Sequence, residues 1–143
     1  MSTEPSPRGH LPVVEPPVNP DTAPYWRGAA EGRLVLPRCD RCGFVIWYPR
    51  EFCPECAATE VTWFEATGRG TVYSFTVTRR AHGAWGEVAP FVIAYVELTE
   101  GPRVLTNIVG IDPDDDRLAI GLEVTAVWEP TPEGQGILRF APT

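Results

Sequence analysis

Hydrophobic and polar residues alternate over much of the second half of the chain. The clearest stretch is Leu122–Trp128, where every second residue is predicted to face the core and the residues between them the opposite side. In the strand predicted for Thr71–Arg79, the side chains of Tyr73, Phe75 and Val77 should share one face. Strict alternation is the pattern of a half-buried β-strand, so this part of the chain predicts a sheet.

The predicted strands are short, and turns that contain glycine separate several of them. Arg80–Ala89 is predicted to be a loop, and Arg117–Gly121 is compatible with one helical turn. The other predicted strands are Val61–Glu65, Pro90–Leu98, Arg103–Ile111 and Ile137–Phe140. Five or six strands within residues 61–143 favour a small closed barrel, and a five-stranded OB-type barrel fits better than a sandwich, which needs more strands.

The first twenty residues are rich in proline. Six prolines lie in this segment, and each removes a backbone donor and restricts the chain, which excludes helix and ladder pairing. Residues 1–20 are therefore predicted to form a flexible arm. The alternative is an extended arm that lies along a partner, with apolar contacts from Leu11, Val13, Val14 and Val18.

A short helix is predicted for Asp21–Gly32. Asp21 is a suitable N-terminal cap, and Gly32 can end the helix in a left-handed turn. Tyr25 and Trp26 lie on one aromatic stripe of this helix. Two interpretations stay open, because the stripe either packs on the neighbouring lobe or forms a groove wall or docking surface.

All four cysteines lie close together, in two Cys-x-x-Cys pairs. They are Cys39, Cys42, Cys53 and Cys56. Each two-residue gap lets a tight turn aim two sulfurs at one point, so the pairs predict a four-thiolate metal site. Four thiolates select Zn²⁺ or a single iron ion, and Zn²⁺ is the favoured one. Because four protein ligands leave no open coordination position, the site is predicted to be structural.

Short strands are predicted before the first cysteine pair and between the two pairs, at Arg33–Leu36 and Phe44–Tyr48. This order predicts a zinc ribbon of the rubredoxin type within residues 21–60. Gly43 follows the first pair, where the chain needs a left-handed residue, but Ala57 follows the second. The second turn is therefore expected to be strained, with a lower metal affinity.

The charge of the chain limits its partners. The formal net charge is −7 and the pI is near 4.8, and all 12 basic residues are arginine. An acidic chain is a poor candidate for binding the phosphate backbone of nucleic acids. The sequence has no apolar run long enough to span a membrane and no apolar core of a signal peptide, so a cytoplasmic location is expected.

No nucleophile and base stand out, and no catalytic residue is predicted. The loop after the second barrel strand is different in character, because Arg79, Arg80, His82 and Trp85 lie together in an otherwise acidic chain. Guanidinium groups suit phosphates and a tryptophan face suits a flat ring, which indicates a ligand- or partner-facing loop. The alternative is two solvated arginines and a tryptophan that covers the barrel end.

Together, the cysteine pairs and the barrel resemble a known family. The segments that carry the resemblance are Tyr25-Trp26, Glu31–Leu34, Pro37–Cys39, Cys42-Gly43, Tyr48–Arg50, Cys53–Cys56 and Gly68–Ser74. This combination resembles the acyl-CoA-associated family that joins a rubredoxin-like zinc ribbon to an OB-fold, long called a domain of unknown function. The resemblance covers residues 21–141 and implies a mainly β fold, with a short helix and zinc ribbon at 21–60 and an OB barrel at 61–143.

The resemblance also implies an accessory role. Members of that family look like small non-catalytic subunits of thiolase-like enzymes, including aldolases that shorten steroid side chains as CoA thioesters, and some are fused to hydratase-like domains. The resemblance therefore implies a hetero-oligomer in which this chain supports its partner and borders an acyl-CoA site. Tyr25, Trp26 and the Arg79–Trp85 loop are the surfaces expected to face the partner or CoA.

Two other functions stay open at this point. OB barrels and zinc ribbons both bind nucleic acids, and Tyr73 and Phe75 are candidates to stack on bases, although the net charge argues against this. An iron ion in the four-sulfur site would instead make the protein an electron carrier.

Overall fold

The computed structural model describes residues 10–143, which form two helices and seven strands. In chain order the elements are α1 (Ala23–Ala30), β1 (Val35–Cys39), β2 (Val61–Glu65), β3 (Arg69–Thr78), α2 (Gly83–Val88), β4 (Phe91–Leu98), β5 (Arg103–Ile108), β6 (Glu123–Pro130) and β7 (Gly136–Pro142). Neither helix is long and apolar enough to cross a lipid bilayer, which holds for the described residues.

Five strands close into a barrel in the order β3-β4-β5-β7-β6, and β6 pairs with β3. The neighbours are antiparallel except for β5 and β7, which meet in parallel at a single bridge between Ile108 and Phe140. The predicted five-stranded OB-type barrel is therefore confirmed. The four residues predicted to face inwards in and just before β6 all pack against the core, namely Leu122, Val124, Ala126 and Trp128.

Strand β2 was predicted to be part of the barrel, and this prediction is wrong. It pairs with β1 in a separate two-stranded antiparallel sheet, in which Cys39 lies opposite Val61. Val61 packs against the buried cluster around the cysteines, which holds it on that side. A hydrogen bond from the N–H of Ala66 to the carbonyl of Leu34 (2.7 Å) continues the pairing.

Several other predicted elements differ in extent. The first strand is Val35–Cys39 rather than Arg33–Leu36. Phe44–Tyr48 makes only an isolated bridge, between Arg38 and Val45, although its side chains alternate between the two buried clusters as in a strand. The loop at Arg80–Ala89 contains helix α2, and Arg117–Gly121 forms turns without a helix.

A β-bulge in β3 turns the side chain of Tyr73 to the outside of the barrel. The register against β4 shifts between Val72 and Ser74, so Val72 is buried while Tyr73 is 44% exposed. After the bulge, Phe75 and Val77 pack against the core. The prediction that Tyr73 shares their face is therefore wrong, since one extra residue reverses the alternation.

The ribbon and the barrel share one hydrophobic core. Leu34, Leu36 and Val45, from the ribbon side, belong to the same buried cluster as Val96 and Phe140 of the barrel. A second, smaller cluster surrounds the metal site, with Ile46 completely buried next to Cys39 and Cys53. The ribbon that carries the metal site is therefore packed into the core of the barrel.

Helix α1 begins at Ala23, with Thr22 at the N-cap position and no side-chain cap, so the predicted cap by Asp21 is wrong. The Thr22 hydroxyl instead donates to the carbonyl of Asn19 at 3.2 Å. Gly32 lies in the left-handed region after the helix, at φ 76°, as predicted. The Tyr25 and Trp26 face of the helix is buried.

The described part of the proline-rich segment, residues 10–20, has no regular structure but lies along its own barrel. The carboxylate of Glu15 accepts hydrogen bonds from the hydroxyl of Thr131 and the N–H of Glu133, both at 2.9 Å. Arg139 donates to the carbonyl of Pro12 at 3.1 Å. These hydrogen bonds place residues 10–20 against the barrel of the same chain, and residues 1–9 lie outside the described part.

Candidate functional site

The four cysteines converge on one point. Their sulfurs all lie within 4.8 Å of one another. The Sγ atoms of Cys39 and Cys56 are 3.5 Å apart, and those of Cys42 and Cys53 are 3.6 Å apart. Zinc–sulfur bonds of about 2.3 Å in a tetrahedron place sulfurs about 3.8 Å apart, whereas a disulfide needs about 2.05 Å. The cluster therefore fits a tetrahedral metal ion.

Two similar turns aim the sulfurs. In the first, the N–H of Gly43 donates to the carbonyl of Cys39 (2.9 Å), and in the second the N–H of Ala57 donates to Cys53 (2.8 Å). Gly43 has φ 76° and Ala57 has φ 63°, so both occupy the left-handed region, as the sequence predicted. Ala57 carries a Cβ there, which costs about 1–2 kcal/mol.

The electrostatics of the cluster favour a bound cation. The N–H of Cys42, followed by that of Arg41, lowers the pKa of Cys39 to about 7. The N–H of Phe44 also acts to lower the pKa of Cys42, but burial and the neighbouring cysteines outweigh it and raise that pKa to about 12. One thiol thus ionises easily and another resists, because burial disfavours its charged form. A divalent cation removes that conflict.

The site has a structural character. Four cysteines supply a complete tetrahedral ligand set, with Cys39 and Cys53 buried and Cys42 exposed. Such a set suits structural zinc, and it leaves no coordination position for water or substrate. These residues hold the ribbon in shape, and the chemistry of any reaction has to come from elsewhere.

An aromatic groove with a volume of about 590 Å³ lies beside the ribbon, and its lining includes α1, the segment before α2, β4, β5 and β7. Four of the residues predicted to face a partner or CoA line it, namely Tyr25, Trp26, His82 and Trp85. The structure therefore brings the helix stripe and the loop together on one surface, although they are far apart in sequence. We call this surface the aromatic groove.

The wall at α1 is built from stacked rings. Tyr25 and Trp26 are stacked with centroids 4.9 Å apart and an interplanar angle of 9°. Tyr25 also packs against Trp47, Tyr48 and the edge of Trp128. The two interpretations of the stripe are therefore compatible, since it packs on its own chain and also lines the groove.

Polar atoms in this wall are poorly solvated. Burial, followed by the nearby Tyr48, raises the pKa of Tyr25 well above its usual range. Burial also raises the pKa of Tyr48, and the Trp26 indole partly offsets this. The Nε1 of Trp26 is nevertheless buried without an acceptor at hydrogen-bonding geometry among the described residues. The Trp26 indole is therefore near Tyr48 but not in good hydrogen-bonding geometry with it.

Arg79 and Arg80 do not line the aromatic groove. The guanidinium of Arg79 is 2.7 Å from the carboxylate of Asp114, with both side chains largely exposed. Arg80 is exposed and directly precedes Ala81 and His82, which lie at the groove. The two arginines are therefore close to the groove in sequence, but they are a surface feature beside it.

Sequence reasoning missed part of the groove. Trp47 and Tyr48 line it, yet they were assigned to a strand, and Leu105 lines it from β5. The proline after Tyr48 and the run of aromatic residues were available as signals of a turn that presents rings to a helix. Leu105 gave no signal, because one exposed leucine in a strand is ordinary.

A smaller cavity of about 250 Å³ lies under the N-terminal arm, with Leu11 in its lining. Arg139 and Glu129 also line it, and their ion pair spans 3.2 Å. Arg139 and Phe91 line both this cavity and the aromatic groove.

The residues proposed for base stacking are not arranged for it. The guanidinium of Arg103 lies 3.8 Å from the centre of the Tyr73 ring and covers it. Phe75 packs against the core. The two rings face different sides of β3, so they do not form one stacking platform.

Comparison with known proteins identifies both halves of the chain. Residues 26–62 match the ChsH2 rubredoxin-like zinc ribbon domain. Residues 63–129 match the ChsH2 C-terminal OB-fold domain. A solved structure described as "Ltp2-ChsH2(DUF35) aldolase" is 37% identical with a TM-score of 0.76, over 90% of this chain and 98% of that one.

Relatives from three organisms are similar in sequence. A "DUF35 domain-containing scaffold protein" of Methanocaldococcus jannaschii is 39% identical over 72% of this chain and 73% of its own length. A "Probable enoyl-CoA hydratase alpha subunit" of Thermomonospora curvata is 39% identical over 92% of this chain, which spans 40% of that protein. "Benzoylsuccinyl-CoA thiolase subunit BbsA" of Geobacter metallireducens is 34% identical over 51% of this chain and 48% of its own length.

Proposed function

Because this chain belongs to the DUF35 family, in which a ChsH2-type rubredoxin-like zinc ribbon precedes an OB-fold, we propose that it is a non-catalytic accessory subunit of an acyl-CoA enzyme complex. Its partner is a thiolase-like enzyme, either a thiolase or a retro-aldolase, with steroid side-chain degradation as one setting. A hydratase-like partner is the second form of the same role, in line with the name of the Thermomonospora curvata relative.

One observation carries this proposal. Over 90% of its length, the chain resembles a chain of similar size, 98% of which is matched, from a structure described as an Ltp2–ChsH2 aldolase. The names of the other relatives, a scaffold protein and a thiolase subunit, point the same way. The complete ligand set of the four cysteines agrees with a non-catalytic role for the ribbon, since it leaves no coordination position for a substrate.

Each part of the molecule has a role in this proposal. Zinc, held by the four cysteines, fixes the ribbon and with it the position of α1. The aromatic groove and the adjacent Arg79–Trp85 loop face the partner and border its acyl-CoA site. Arg80 supplies positive charge near the groove, which suits the phosphates of CoA. We place the complex in the cytoplasm, where a reducing environment keeps the four thiols available to a metal.

Purification from the native host tests this function. The full chain, carrying an affinity tag, should co-purify with a thiolase-like or hydratase-like enzyme in a fixed ratio. That enzyme should lose activity on its CoA thioester when the chain is removed and regain it on adding the chain back. The chain alone should have no activity on the same thioester. A monomer that neither binds nor activates any such enzyme contradicts the proposal.

A further inference from the structure

The closed barrel has its fewest backbone pairings between β5 and β7. Among the described strands, β5 meets β7 only at the bridge between Ile108 and Phe140. Further along, a side chain spans the gap, because the hydroxyl of Thr106 donates to the carbonyl of Leu138 at 3.2 Å. From Arg103 to Leu105 the β5 edge therefore has a strand neighbour, β4, on one side only.

The register shows which backbone groups of β5 face this gap. The N–H of Leu98 donates to the carbonyl of Pro102 at 2.8 Å, which fixes the alternation of the antiparallel pair. Val104 and Thr106 then direct their backbone groups to β4, whereas Arg103 and Leu105 direct theirs away. The odd-numbered Val109 follows the same rule, since its N–H donates towards β7, to Phe140.

This edge also carries exposed apolar side chains. Tyr95 and Leu105 are opposite each other on β4 and β5, and they are 45% and 57% exposed. Leu105 lines the aromatic groove, which therefore runs along the open edge. Proteins usually protect such edges with charges, proline or a covering element. An extended polypeptide would satisfy both the backbone groups of the edge and the apolar walls of the groove.

The charge at the groove selects among occupants. His82 lines it and Arg80 is exposed two residues earlier, in a chain with a net charge of −7. The occupant should therefore bring a negative charge to this end. Residues 1–9 of this chain, Met1 to Gly9, lack alternating apolar residues and do not match the groove.

We propose that the open edge of β5 and the aromatic groove bind an extended segment of the partner enzyme. The segment adds as a strand beside β5, with backbone hydrogen bonds to Arg103 and Leu105. Its alternate apolar side chains enter the groove, and an acidic residue lies beside Arg80 and His82. This inference rests on the proposed function, because the occupant belongs to the acyl-CoA enzyme.

Amide hydrogen exchange tests the added strand directly. The probe is the full chain in complex with the thiolase-like enzyme that co-purifies with it. The amides of Arg103 and Leu105 should exchange about tenfold or more slowly in the complex than in the free chain. Those of Val104 and Thr106, already bonded to β4, should change little. A stable complex in which Leu105 exchanges at its free rate overturns this inference but leaves the proposed function intact.

Two surface variants test whether binding of the enzyme depends on this edge or on any exposed apolar residue. Leu105→Arg should weaken binding of the enzyme about tenfold or more, because it places a charge at the edge. Ile120→Arg is the matched control, since Ile120 is 73% exposed and does not line the groove, and binding should change less than about twofold. Equal effects of the two variants contradict the inference. If the free chain has twice its monomer mass and the amide of Leu105 is already protected in it, the edge binds a second copy of this chain. That result also overturns the inference.

Discussion

Arg139 and Glu129 form an ion pair between β7 and β6, with Nε 3.2 Å from Oε1 and side chains only 10% and 15% exposed. Burial lowers the pKa of Arg139, and the charge of Glu129 opposes this. The same arginine donates to the carbonyl of Pro12, and Glu129 lies 3.4 Å from His10. The pair therefore fastens the N-terminal arm to the barrel as well as joining two strands.

Removing one partner of this pair should destabilise the protein. Glu129→Gln leaves the Arg139 charge poorly compensated, and we expect a loss of about 2–4 kcal/mol in the free energy of unfolding, measured with urea. The double variant Glu129→Gln with Arg139→Met should recover much of that loss, because no charge is then left unpaired. A single variant as stable as the wild type contradicts the prediction.

The arm should come loose when its other fastening is removed. Glu15→Ala deletes the acceptor of two hydrogen bonds, with an expected cost of about 1–2 kcal/mol. The amide of Glu133 should then exchange faster with solvent, as measured by NMR. Glu60→Ala, an exposed site on the ribbon, serves as the control and should leave that amide unchanged. Normal protection of Glu133 in Glu15→Ala would show that the arm is held by other contacts.

Loss of one zinc ligand should unfold the ribbon. Cys39→Ser and Cys53→Ser each remove a buried sulfur from a closed set, so the bound zinc should fall from about one ion per chain to near zero. Elemental analysis measures this, and the yield of the enzyme complex should fall with it. Glu55→Gln, between the second pair, is the control and should retain the metal. Unchanged metal content in either serine variant is the opposing result.

The two turns of the ribbon offer a reciprocal test of strain. Ala57→Gly should stabilise the metal-bound ribbon by about 1 kcal/mol, because φ 63° suits glycine better than alanine. Gly43→Ala should cost a similar amount, and nothing lies within 4 Å of the added Cβ, so the effect comes from the backbone alone. Competition with a zinc chelator should show affinities that change in opposite directions. Changes of the same sign in both variants would rule out backbone strain as the cause.

The two loop arginines should affect assembly more than stability. The exposed pair of Arg79 with Asp114 contributes about 1 kcal/mol at most, so Arg79→Ala with Arg80→Ala should fold normally. We expect about tenfold weaker binding of the enzyme, or a KM for the CoA thioester that is about tenfold higher. Arg117→Ala, which removes a comparable exposed arginine paired with Asp115, is the control. Unaltered binding and kinetics would leave the loop as a solvated surface.

The metal site was predictable because the spacing of its ligands is itself the signal. The barrel was predictable because alternation along β6 and its neighbours is strong. The partners of the strands were not, since alternation identifies a strand without naming what it pairs with, and β2 was assigned to the wrong sheet for this reason. The bulge at Tyr73 was also not predictable, because it is a shift in the pairing of β3 with β4 and the sequence of β3 alone does not show it.

Long-range contacts account for the rest. Residues 10–20 of the arm lack regular structure, as expected, but their place on the barrel depends on Glu15 meeting Thr131, 116 residues away. No local pattern contains that information. The aromatic groove is similar, because it brings Trp26 and Trp85 together only after the ribbon and the barrel have packed.

The shared core of ribbon and barrel limits where the chain can be divided. The two matched families divide between Thr62 and Trp63, inside β2, where Trp63 is paired with Pro37 of β1. A fragment cut there would break a sheet and strip Leu36 from its packing. The match to the longer Thermomonospora curvata relative covers 92% of this chain and so includes both halves. The ribbon and the barrel of this chain therefore form one folding unit, and neither half alone keeps its buried face covered.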